Sequence, residues 1–197
     1  MLSLKEKYTK EVLPAMMKEF SYKNVMAVPK IEKVVLNIGF GKTVSTKTSD
    51  EQKKFFKNVS ENLASITGQK PVLTSAKKAI AGFKTRKGML IGAMDTLRKK
   101  KMYDFLEKLI YIALPRTRDF RGIDLKSFDN EGNLTISIKE YTVFPEVILK
   151  NTKVVFGFEI TIVTTTKNRE QGIGLLKLMG FPLKPANSKQ RTMINNK

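Results

Sequence analysis

The sequence predicts an α+β fold, in which a mainly antiparallel sheet carries helices on one face and leaves its other face open. Two observations carry this prediction. Helix-like and strand-like segments follow one another in mixed order along the chain. The strand-like segments are apolar at every second residue, which is the pattern of sheets that bury a single face. A chain of 197 residues and 22.3 kDa is long enough for one domain with a substantial core, with or without an appendage.

The first half of the chain is predicted to form a helix, a strand and a second helix. An apolar stripe at helical spacing, with a bend at Pro14, comprises Leu4, Tyr8, Val12, Met16 and Phe20. Residues 31–40 alternate as a strand, with Val34, Leu36, Ile38 and Phe40 on one face and Ile31, Lys33, Val35 and Asn37 on the other. Residues 49–66 form the second predicted helix, which Ser49 and Gln52 open as a capping box and Gly68 ends.

The second half adds strands, a long loop and two more helices. The predicted elements are strands over 71–75, 89–98, 133–139 and 154–165, helices over 101–114 and 168–179, and a basic loop over 76–88. Pro115 is expected to end the first of these helices and Gly180 the second. The turn "DNEG" (129–132) precedes the third strand. Residues 183–197 are predicted to be a basic, flexible tail after the folded part.

Composition limits the classes of function. The net charge is +19 and the isoelectric point is about 10.0, so the field of the protein attracts polyanions with a salt-sensitive affinity. The sequence contains no His and no Cys, which removes the usual zinc ligands and the commonest general base. We therefore expect a binding protein, with no catalytic residues, no metal and no cofactor.

The positive charge is concentrated in one part of the chain. Residues 67–101 contain one acid, Asp95, and ten basic residues: Lys70, Lys77, Lys78, Lys84, Arg86, Lys87, Arg98, Lys99, Lys100 and Lys101. Five of these lie on or beside the glycine-containing loop, which can follow a phosphate backbone closely. Phe83 lies in the same loop, where it either stacks on a base or ribose or folds back into the core.

Polar residues on the predicted strands extend this basic region. Their side chains can form hydrogen bonds with phosphates, 2′-hydroxyls or base edges; they are Lys33, Asn37, Gln69, Lys70, Thr74, Thr96 and Arg98. Simple solvent exposure is the alternative for each one. If the strands are neighbours, these residues form a polar patch on the open face. The strands lack the aromatic motifs of single-strand RNA platforms, so shape recognition of a folded RNA is the better interpretation.

The stretch "VVLNIGFGKT" (34–43) is similar to the end of a phosphate-binding loop, but the match is incomplete. The motif G-x-x-x-x-G-K-[ST] requires a glycine at position 36, which is Leu36. It also requires a helix that begins at the Lys-[ST] pair, whereas the next predicted helix begins near Ser49. We interpret the stretch as a strand that ends in a glycine turn.

Two other classes of protein are compatible with strong positive charge. A membrane-surface protein requires a helix with one basic and one apolar face, whereas the basic residues here concentrate on a loop and on strands. An RNA-processing enzyme requires a nucleotide loop or converging carboxylates, and neither is visible in the sequence. No apolar run reaches the length of a bilayer, and the first residues lack the apolar core of a secretory signal. We expect no membrane partner and a cytoplasm-like compartment.

Several long motifs in register resemble one family. They are "YKNVMAVPKIEKVVLNIG" (22–39), "ITGQKPVLTSAKKAIAGFKTRKGMLIGAMDTLR" (66–98), "ALPRTRDFRGI" (113–123), "SFDNEGNLTISIKEYTVFPE" (127–146) and "ITIVTTTK" (160–167). Together they closely resemble large-subunit ribosomal protein five, the universal family that binds 5S ribosomal RNA, in its bacterial type. The resemblance covers residues 1–182, which would form one ribosomal-protein domain followed by the tail 183–197.

The resemblance implies a structural, non-enzymatic role in the large ribosomal subunit of the cytoplasm. It implies that 5S rRNA binds the exposed face of the sheet, near Asn37, Gln69, Lys70, Thr74, Thr96 and Arg98. It implies that a loop reaches toward peptidyl-site (P-site) tRNA through Lys77, Lys78, Gly82, Phe83, Lys84 and Arg86. Neighbouring 23S-type rRNA and a protein of the small-subunit head, across an intersubunit bridge, would be further partners. The 140–156 region is the candidate for that bridge.

The sequence departs from the family pattern at a few positions. Lys42 stands where the family often has an acid, so the likeness to a nucleotide loop is partly specific to this chain. Asp95 and the run Lys99–Lys101 differ from the usual surroundings of "TLR", which puts the local RNA contacts in doubt. The tail is longer than usual, and no function can be carried over to it.

Overall fold

The computed structural model describes residues 3–45, 47–118, 120–148 and 156–185. Within these ranges, five strands form one sheet in the order β2-β3-β1-β5-β4, and every neighbouring pair is antiparallel. The strands are β1 Ile31–Gly39, β2 Val72–Ser75, β3 Leu90–Leu97, β4 Leu134–Ile138 and β5 Phe158–Thr164. The predicted strands are therefore confirmed within the described residues, with β5 shorter than the predicted 154–165.

Helices occupy the positions that the apolar stripes predict. The N-terminal helix comprises Leu4–Lys7, a π-helical segment Tyr8–Val12, and Leu13–Glu19. The long helix is Ser49–Thr67, and the central helix comprises Lys99–Lys108, a π-helical segment Leu109–Ala113, and Leu114–Arg116. The C-terminal helix is Arg169–Met179; single helical turns occur at Gly41–Val44 and Pro145–Ile148, and 3₁₀ turns at Val25–Ala27, Ala81–Phe83, Leu125–Ser127 and Tyr141–Val143.

The core lies between one face of the sheet and the helices. Leu36 of β1 and Ile160 of β5 are completely buried, as are Leu63 of the long helix and Leu175 of the C-terminal helix. All belong to one contiguous cluster of buried apolar side chains. In the described ranges the helices cover only this face, so they leave the other face of the sheet uncovered. The predicted α+β class, with helices on one face, is confirmed.

Ile31 was expected on the open face beside Lys33, and this prediction is wrong. The pairing of β1 with β5 shifts register between Ile31 and Lys33, so an irregularity reverses the parity of the strand at its first residue. Ile31 is therefore buried in the core, with 4% of its surface exposed. The alternation from Val34 onward follows the prediction.

The long helix begins at Ser49, as predicted, but its capping residue lies one position before the predicted one. Thr48, instead of Ser49, is the N-cap, and its capping box is with Glu51. The Thr48 amide donates to the Glu51 carboxylate at 3.0 Å, and this hydrogen bond lowers the pKa of that carboxyl. Gln52, the predicted partner, instead donates to the carbonyls of Val44 and Lys47.

Pro115 does not end the central helix, contrary to the prediction. The helix continues to Arg116, because the preceding segment Leu109–Ala113 is π-helical. A π-helical turn is wider than an α-helical one, and it accommodates the missing N–H and the ring of proline. Pro14 follows the other π-helical segment, Tyr8–Val12, in the same way.

Two lysines of the central helix, Lys101 from the basic region and Lys108 beyond it, form hydrogen bonds within the fold. At the C-terminal end of the long helix, Lys101 donates to the Gly68 carbonyl at 3.0 Å and Lys108 to the Ile66 carbonyl at 3.1 Å. Lys108 also forms an ion pair with Glu146 at 2.9 Å. Both ammonium groups face the negative end of a helix dipole. Part of the positive charge therefore has a structural role, and that of Lys108 is also paired with an acid.

The end of the described chain is attached to the body. The amide of Ile123 donates to the Pro182 carbonyl at 2.8 Å, and the amide of Lys184 donates to the Ile123 carbonyl at 2.9 Å. The predicted tail 183–197 lies outside the described residues from 186 onward. The boundary at 182 stays a prediction.

The turn "DNEG" packs against the C-terminal helix at two glycines. A Cβ atom at Gly172 would lie 2.5 Å from the Cα of Gly132, a separation that no side chain tolerates. Gly132 also has a φ of +81°, which favours glycine. The helix therefore contains a residue of poor helix propensity because the turn approaches it this closely.

We predict that Gly172→Ala destabilises the protein by about 1–3 kcal/mol, the usual cost of forcing extra atoms into a packed site. Urea denaturation of the full chain measures it. Gly82→Ala is the matched control, because a Cβ there meets no atom within 4 Å, and its effect should stay within about 0.5 kcal/mol. Equal midpoints for the two variants would contradict the close contact.

Candidate nucleic-acid interface

The face of the sheet opposite the core is a surface of mainly polar side chains with some apolar ones, here called the open face. Its residues alternate with those of the core side along each strand and are neighbours across the ladder. They are Val72 and Thr74 on β2, Met94 and Thr96 on β3, Lys33, Val35 and Asn37 on β1, Glu159, Thr161 and Val163 on β5, and Thr135 and Ser137 on β4. None of these side chains is buried. The surface is therefore accessible to a large partner.

Four of the predicted rRNA-binding residues come together on this face. Lys33 and Asn37 lie on the central strand β1, and Thr96 lies on β3 opposite Val35, between them. Thr74 lies one strand further, opposite Gly92 of β3. Thr96 is therefore the diagonal neighbour of both Lys33 and Asn37, at a spacing of about 7–8 Å, so these three groups can contact a single nucleic-acid segment. Thr74 lies further away, toward the other end of β3, and an RNA that contacts it as well must extend across the sheet.

Arg98 and Lys70 lie at the margin of the open face. Arg98 directly follows β3 and is exposed, with its guanidinium 3.7 Å from the Glu32 carboxylate. Lys33 is also 4.0 Å from Glu32, so one acid connects both basic side chains at this end of the face. Exposed pairs of this kind contribute little to stability, and both cations remain accessible. Lys70 is exposed just before β2.

Gln69 differs from the other predicted residues because its side-chain nitrogen is bound within the protein. The Gln69 amide nitrogen donates to the Asp95 carboxylate and to the Thr96 carbonyl, the latter at 3.1 Å. Asp95 is 3% exposed, and its second carboxylate oxygen has no hydrogen-bond partner among the residues that the structure describes. Two acceptors hold the nitrogen, so the amide oxygen of half-buried Gln69 is the atom left for another contact.

The structure adds two residues that the sequence interpretation missed, Glu159 and Ser137, in one row with the predicted Asn37. Asn37, Glu159 and Ser137 are register partners on the adjacent strands β1, β5 and β4. They line a depression of about 350 Å³ together with Gly39 and Gly157. In the sequence, Ser137 and Glu159 are marked by a polar residue between two apolar ones, in "LTISI" and "FEITIVT" respectively. The prediction was based on basic residues and did not use this pattern.

The basic loop is a folded hairpin. Ile80 and Thr85 form an antiparallel bridge, with N–O distances of 3.1 and 3.2 Å. Between them Ala81–Phe83 form a 3₁₀ turn, and Lys84 takes a left-handed conformation with a φ of +51°. The backbone hydrogen bonds of the tip are therefore made inside the loop.

The predicted tRNA-contact residues are all exposed on this loop. They are Lys77, Lys78, Gly82, Phe83, Lys84 and Arg86. Of the two alternatives for Phe83, folding back into the core is wrong, because 63% of its surface is exposed. Exposed apolar side chains at the tip of a basic loop are suited to an RNA partner.

The segment after β1 contains one feature that the sequence interpretation did not predict. A single helical turn, Gly41–Val44, begins directly at Gly41, so the expectation that no helix starts before Ser49 is wrong. A Cβ at Gly41 would lie 3.6 Å from the Ile91 side chain, so the turn packs against β3. The turn has four residues and Leu36 still replaces the first glycine of the nucleotide motif.

Neither a metal centre nor a membrane span is found in the part of the chain that the structure describes. No group of three or more acidic side chains there is arranged to hold a metal ion. None of the helices in the described ranges is long and apolar enough to cross a bilayer.

Two models of one family match the chain in sequence order. The model of ribosomal protein L5 matches residues 24–86. The model of the C-terminal part of the L5 family matches residues 90–183. The first match contains β1, β2 and most of the basic loop, and the second contains β3, β4 and β5. The open face is therefore assembled from both.

Similar proteins cover nearly the whole chain. The large ribosomal subunit protein uL5 of Geotalea uraniireducens is 48% identical over 184 residues, which are 93% of this chain and 99% of that protein. The protein of the same name from Halothermothrix orenii is 51% identical over 179 residues, which are 91% and 97% of the two chains. The protein of that name from Streptococcus thermophilus is 49% identical over 179 residues, which are 91% of this chain and 96% of that protein. The chain therefore belongs to the uL5 family and is a structural, non-enzymatic constituent of the large subunit of the cytoplasmic ribosome.

Proposed function

We propose that this protein binds 5S rRNA through the open face and contacts P-site tRNA through the basic loop. We further propose that it contributes to a bridge with a protein of the small-subunit head. The observation that carries the proposal is the uncovered sheet face, on which Lys33, Asn37 and Thr96 lie within reach of one RNA segment. Neighbouring 23S-type rRNA would complete the surroundings.

The open face would recognise RNA mainly through neutral hydrogen-bonding groups. Asn37 and the threonines can contact phosphates, 2′-hydroxyls and base edges, whereas Lys33 and Arg98 at one end supply the charge. A rigid sheet presents these groups at fixed spacing, so a folded RNA of matching shape is favoured over a flexible strand. Specificity would come from this geometry, and affinity from the cations around it.

Glu159 would add discrimination to this surface. It lies beside Asn37 on the open face and is exposed. A carboxylate repels phosphates but accepts hydrogen bonds from base amino and imino groups and from 2′-hydroxyls. An RNA that presents a backbone at this point would be rejected, and one that presents such a donor would be accepted.

Asp95 would act as a positioning residue for Gln69. Because Asp95 and the Thr96 carbonyl both hold the amide nitrogen, the oxygen of Gln69 would point toward the RNA as an acceptor. This acid lies on the helix-covered face, opposite Leu36, so its charge is kept away from the phosphates. The departure from the family pattern at this position is thus compatible with RNA binding.

The basic loop would contact tRNA through charge. Lys84 and Arg86 are exposed near its tip, and the folded hairpin holds both away from the sheet. Backbone contacts of this kind carry no sequence information, which suits a partner whose sequence changes from one tRNA to the next.

The bridge to the small subunit stays a proposal for the 140–156 region. In its described part, Tyr141 is buried and Glu146 is engaged by Lys108. Thr142 is exposed. Residues 149–155 lie outside the described ranges.

We predict that Asn37→Ala and Thr96→Ala each weaken binding to folded 5S rRNA by about five- to ten-fold, the loss expected for one or more hydrogen bonds. A mobility-shift titration with excess tRNA as competitor measures the affinity. Asn58→Ala is the matched control, because Asn58 is exposed on the long helix, away from the open face. If tRNA displaces 5S rRNA equally from all three variants and the wild type, charge alone explains binding and the proposed role of the face fails.

A second prediction concerns the loop. The double variant Lys84→Gln, Arg86→Gln should bind tRNA more weakly at low salt. The slope of log affinity against log salt should fall by about 0.7–0.9 for each lost phosphate contact. The double variant Lys54→Gln, Lys57→Gln, which removes two exposed lysines of the long helix, is the control with the same change in net charge. An unchanged salt slope in the loop variant would show that these residues do not contact the tRNA backbone.

A third prediction concerns Glu159. Glu159→Gln removes a negative charge from the open face, so binding to tRNA used as a non-specific competitor should strengthen. Affinity for 5S rRNA should rise less than affinity for tRNA, or fall. The preference for 5S rRNA, measured as the dissociation constant for tRNA divided by that for 5S rRNA, should therefore decrease. Glu61→Gln makes the same charge change on the exposed side of the long helix and should leave the ratio unaltered. A ratio that moves in favour of 5S rRNA would contradict the proposed discrimination.

A further inference from the structure

One side of the central helix, with the residues that follow it, carries charged and apolar side chains that the proposed function does not use. This side is here called the outer strip and comprises Asp104, Glu107, Tyr111, Ile112, Pro115, Arg116 and Arg118. The opposite side of the helix, including Phe105 and Leu109, is buried in the core beneath the sheet. The outer strip therefore faces away from the sheet and from the open face.

The charges of the outer strip are unpaired. Among the residues that the structure describes, none of its four charged side chains forms an ion pair or a hydrogen bond. Lys108, on the same helix, is by contrast paired with Glu146. Tyr111 and Ile112 expose 48% and 38% of their surface. Tyr and Arg are enriched among the residues that contribute most of the binding energy at protein interfaces, so this composition favours a protein partner.

The order of the charges is nearly symmetric about Tyr111 but opposite in sign. At about 1.5 Å of rise per residue, Glu107 lies about 6 Å before Tyr111 and Arg116 about 7 Å after it. Asp104 lies one turn further out on the first side, and Arg118 follows the end of the helix on the other side. A second copy of the strip, turned end to end, would therefore present an arginine to each acid.

We propose that two copies of the free protein pair through their outer strips, with the two central helices antiparallel about a two-fold axis at Tyr111. Each Glu107 would face Arg116 of the partner subunit, and each Asp104 would face Arg118 of the partner subunit. The two tyrosines would meet at the centre, where Ile112 would also be removed from water. A two-fold interface of this kind requires only that one patch complements itself. The inference goes beyond the proposed function and is independent of RNA binding.

A second copy fits the outer strip better than RNA does. A nucleic-acid backbone carries negative charge along its whole length, so a backbone that reached the arginines along the helix would also meet Asp104 and Glu107. Ile112 and Pro115 offer no aromatic ring on which a base could stack. A second copy supplies the opposite charge at both ends and an apolar centre between them.

The net charge of the protein limits the strength of this pairing. A charge of +19 on each copy opposes self-association, and exposed Lys99 and Lys100 add to the repulsion just beyond Asp104. The outer strip itself is neutral, with two acids and two arginines, and at about 0.15 M salt exposed charges more than about 8 Å apart are largely screened. A strip of about four helical turns is also small beside the roughly 800 Å² that each partner of a stable interface buries. We therefore expect a weak dimer, with a dissociation constant of about 10–100 µM.

Charge reversal of each half of the strip tests the pairing. The first variant is Asp104→Lys, Glu107→Lys and the second is Arg116→Glu, Arg118→Glu. Sedimentation equilibrium of the full chain at about 0.15 M salt should show a dimer for the wild type. Each variant alone should associate at least about tenfold more weakly, because like charges then face each other. An equimolar mixture of the two variants should form a heterodimer at least as tight as the wild-type dimer, since all four ion pairs form again with their signs exchanged.

Two further variants serve as controls. Lys54→Glu, Lys57→Glu makes the same change in net charge as the second variant, but on the exposed side of the long helix. It should dimerise at least as well as the wild type. Tyr111→Ser should weaken the dimer about five- to tenfold without changing any charge, the loss expected for about 1 kcal/mol of buried contact.

The mixture also guards against misfolding, because two unfolded variants would not restore a defined dimer. A wild-type protein that stays monomeric well above 100 µM, about the upper end of the expected constant, overturns the proposal. So does a dimer that both charge-reversed variants form as well as the wild type, because the contact would then lie elsewhere. A mixture that shows no heterodimer contradicts the antiparallel pairing, and a loss of 5S rRNA affinity in the second variant but not in Lys54→Glu, Lys57→Glu, without any effect on association, would assign the strip to RNA instead.

Discussion

Burial of a single face of the antiparallel sheet is the constraint on which the rest of this structure depends. Once Leu36 and Ile160 are fixed in the core, the two-residue period of a strand directs Asn37 and Glu159 outward. The apolar core and the open face are therefore two consequences of one pattern. A shift of one residue in the pairing of β1 would bury Asn37 and expose Leu36. Such a shift would therefore disrupt the core and the open face together.

The sequence predicts the position of a side chain where the hydrophobic period of a strand or helix determines it. It does not predict features that depend on local backbone geometry or on distant contacts. Alternation in β1 located Lys33 and Asn37 on the open face, but it did not anticipate the irregularity that buries Ile31. The usual effect of proline on a helix predicted that the central helix ends at Pro115. The π-helical segment that lets it continue to Arg116 has no signature in the sequence. The contact of Gln69 with Asp95 joins residues 26 positions apart, which no local pattern reveals.

Charge in this protein performs two tasks that composition does not separate. Lys101 and Lys108 neutralise the carbonyl end of the long helix, whereas the lysines of the loop remain exposed to a partner. Asp95 lies within the most basic part of the chain but on the buried side of the sheet. The net charge of +19 therefore overstates the charge that an RNA encounters, and its arrangement matters more than its sum.

The hydrogen bonds between Ile80 and Thr85 have a consequence for the timing of recognition. A loop that is already folded loses little backbone entropy when it meets a ligand, and fixing one free residue costs about 1–2 kcal/mol. An RNA that docks on this hairpin need not wait for the loop to order, so encounter is governed by diffusion and electrostatic steering. Release of such an RNA is equally free of a refolding step, because the loop keeps its own backbone hydrogen bonds.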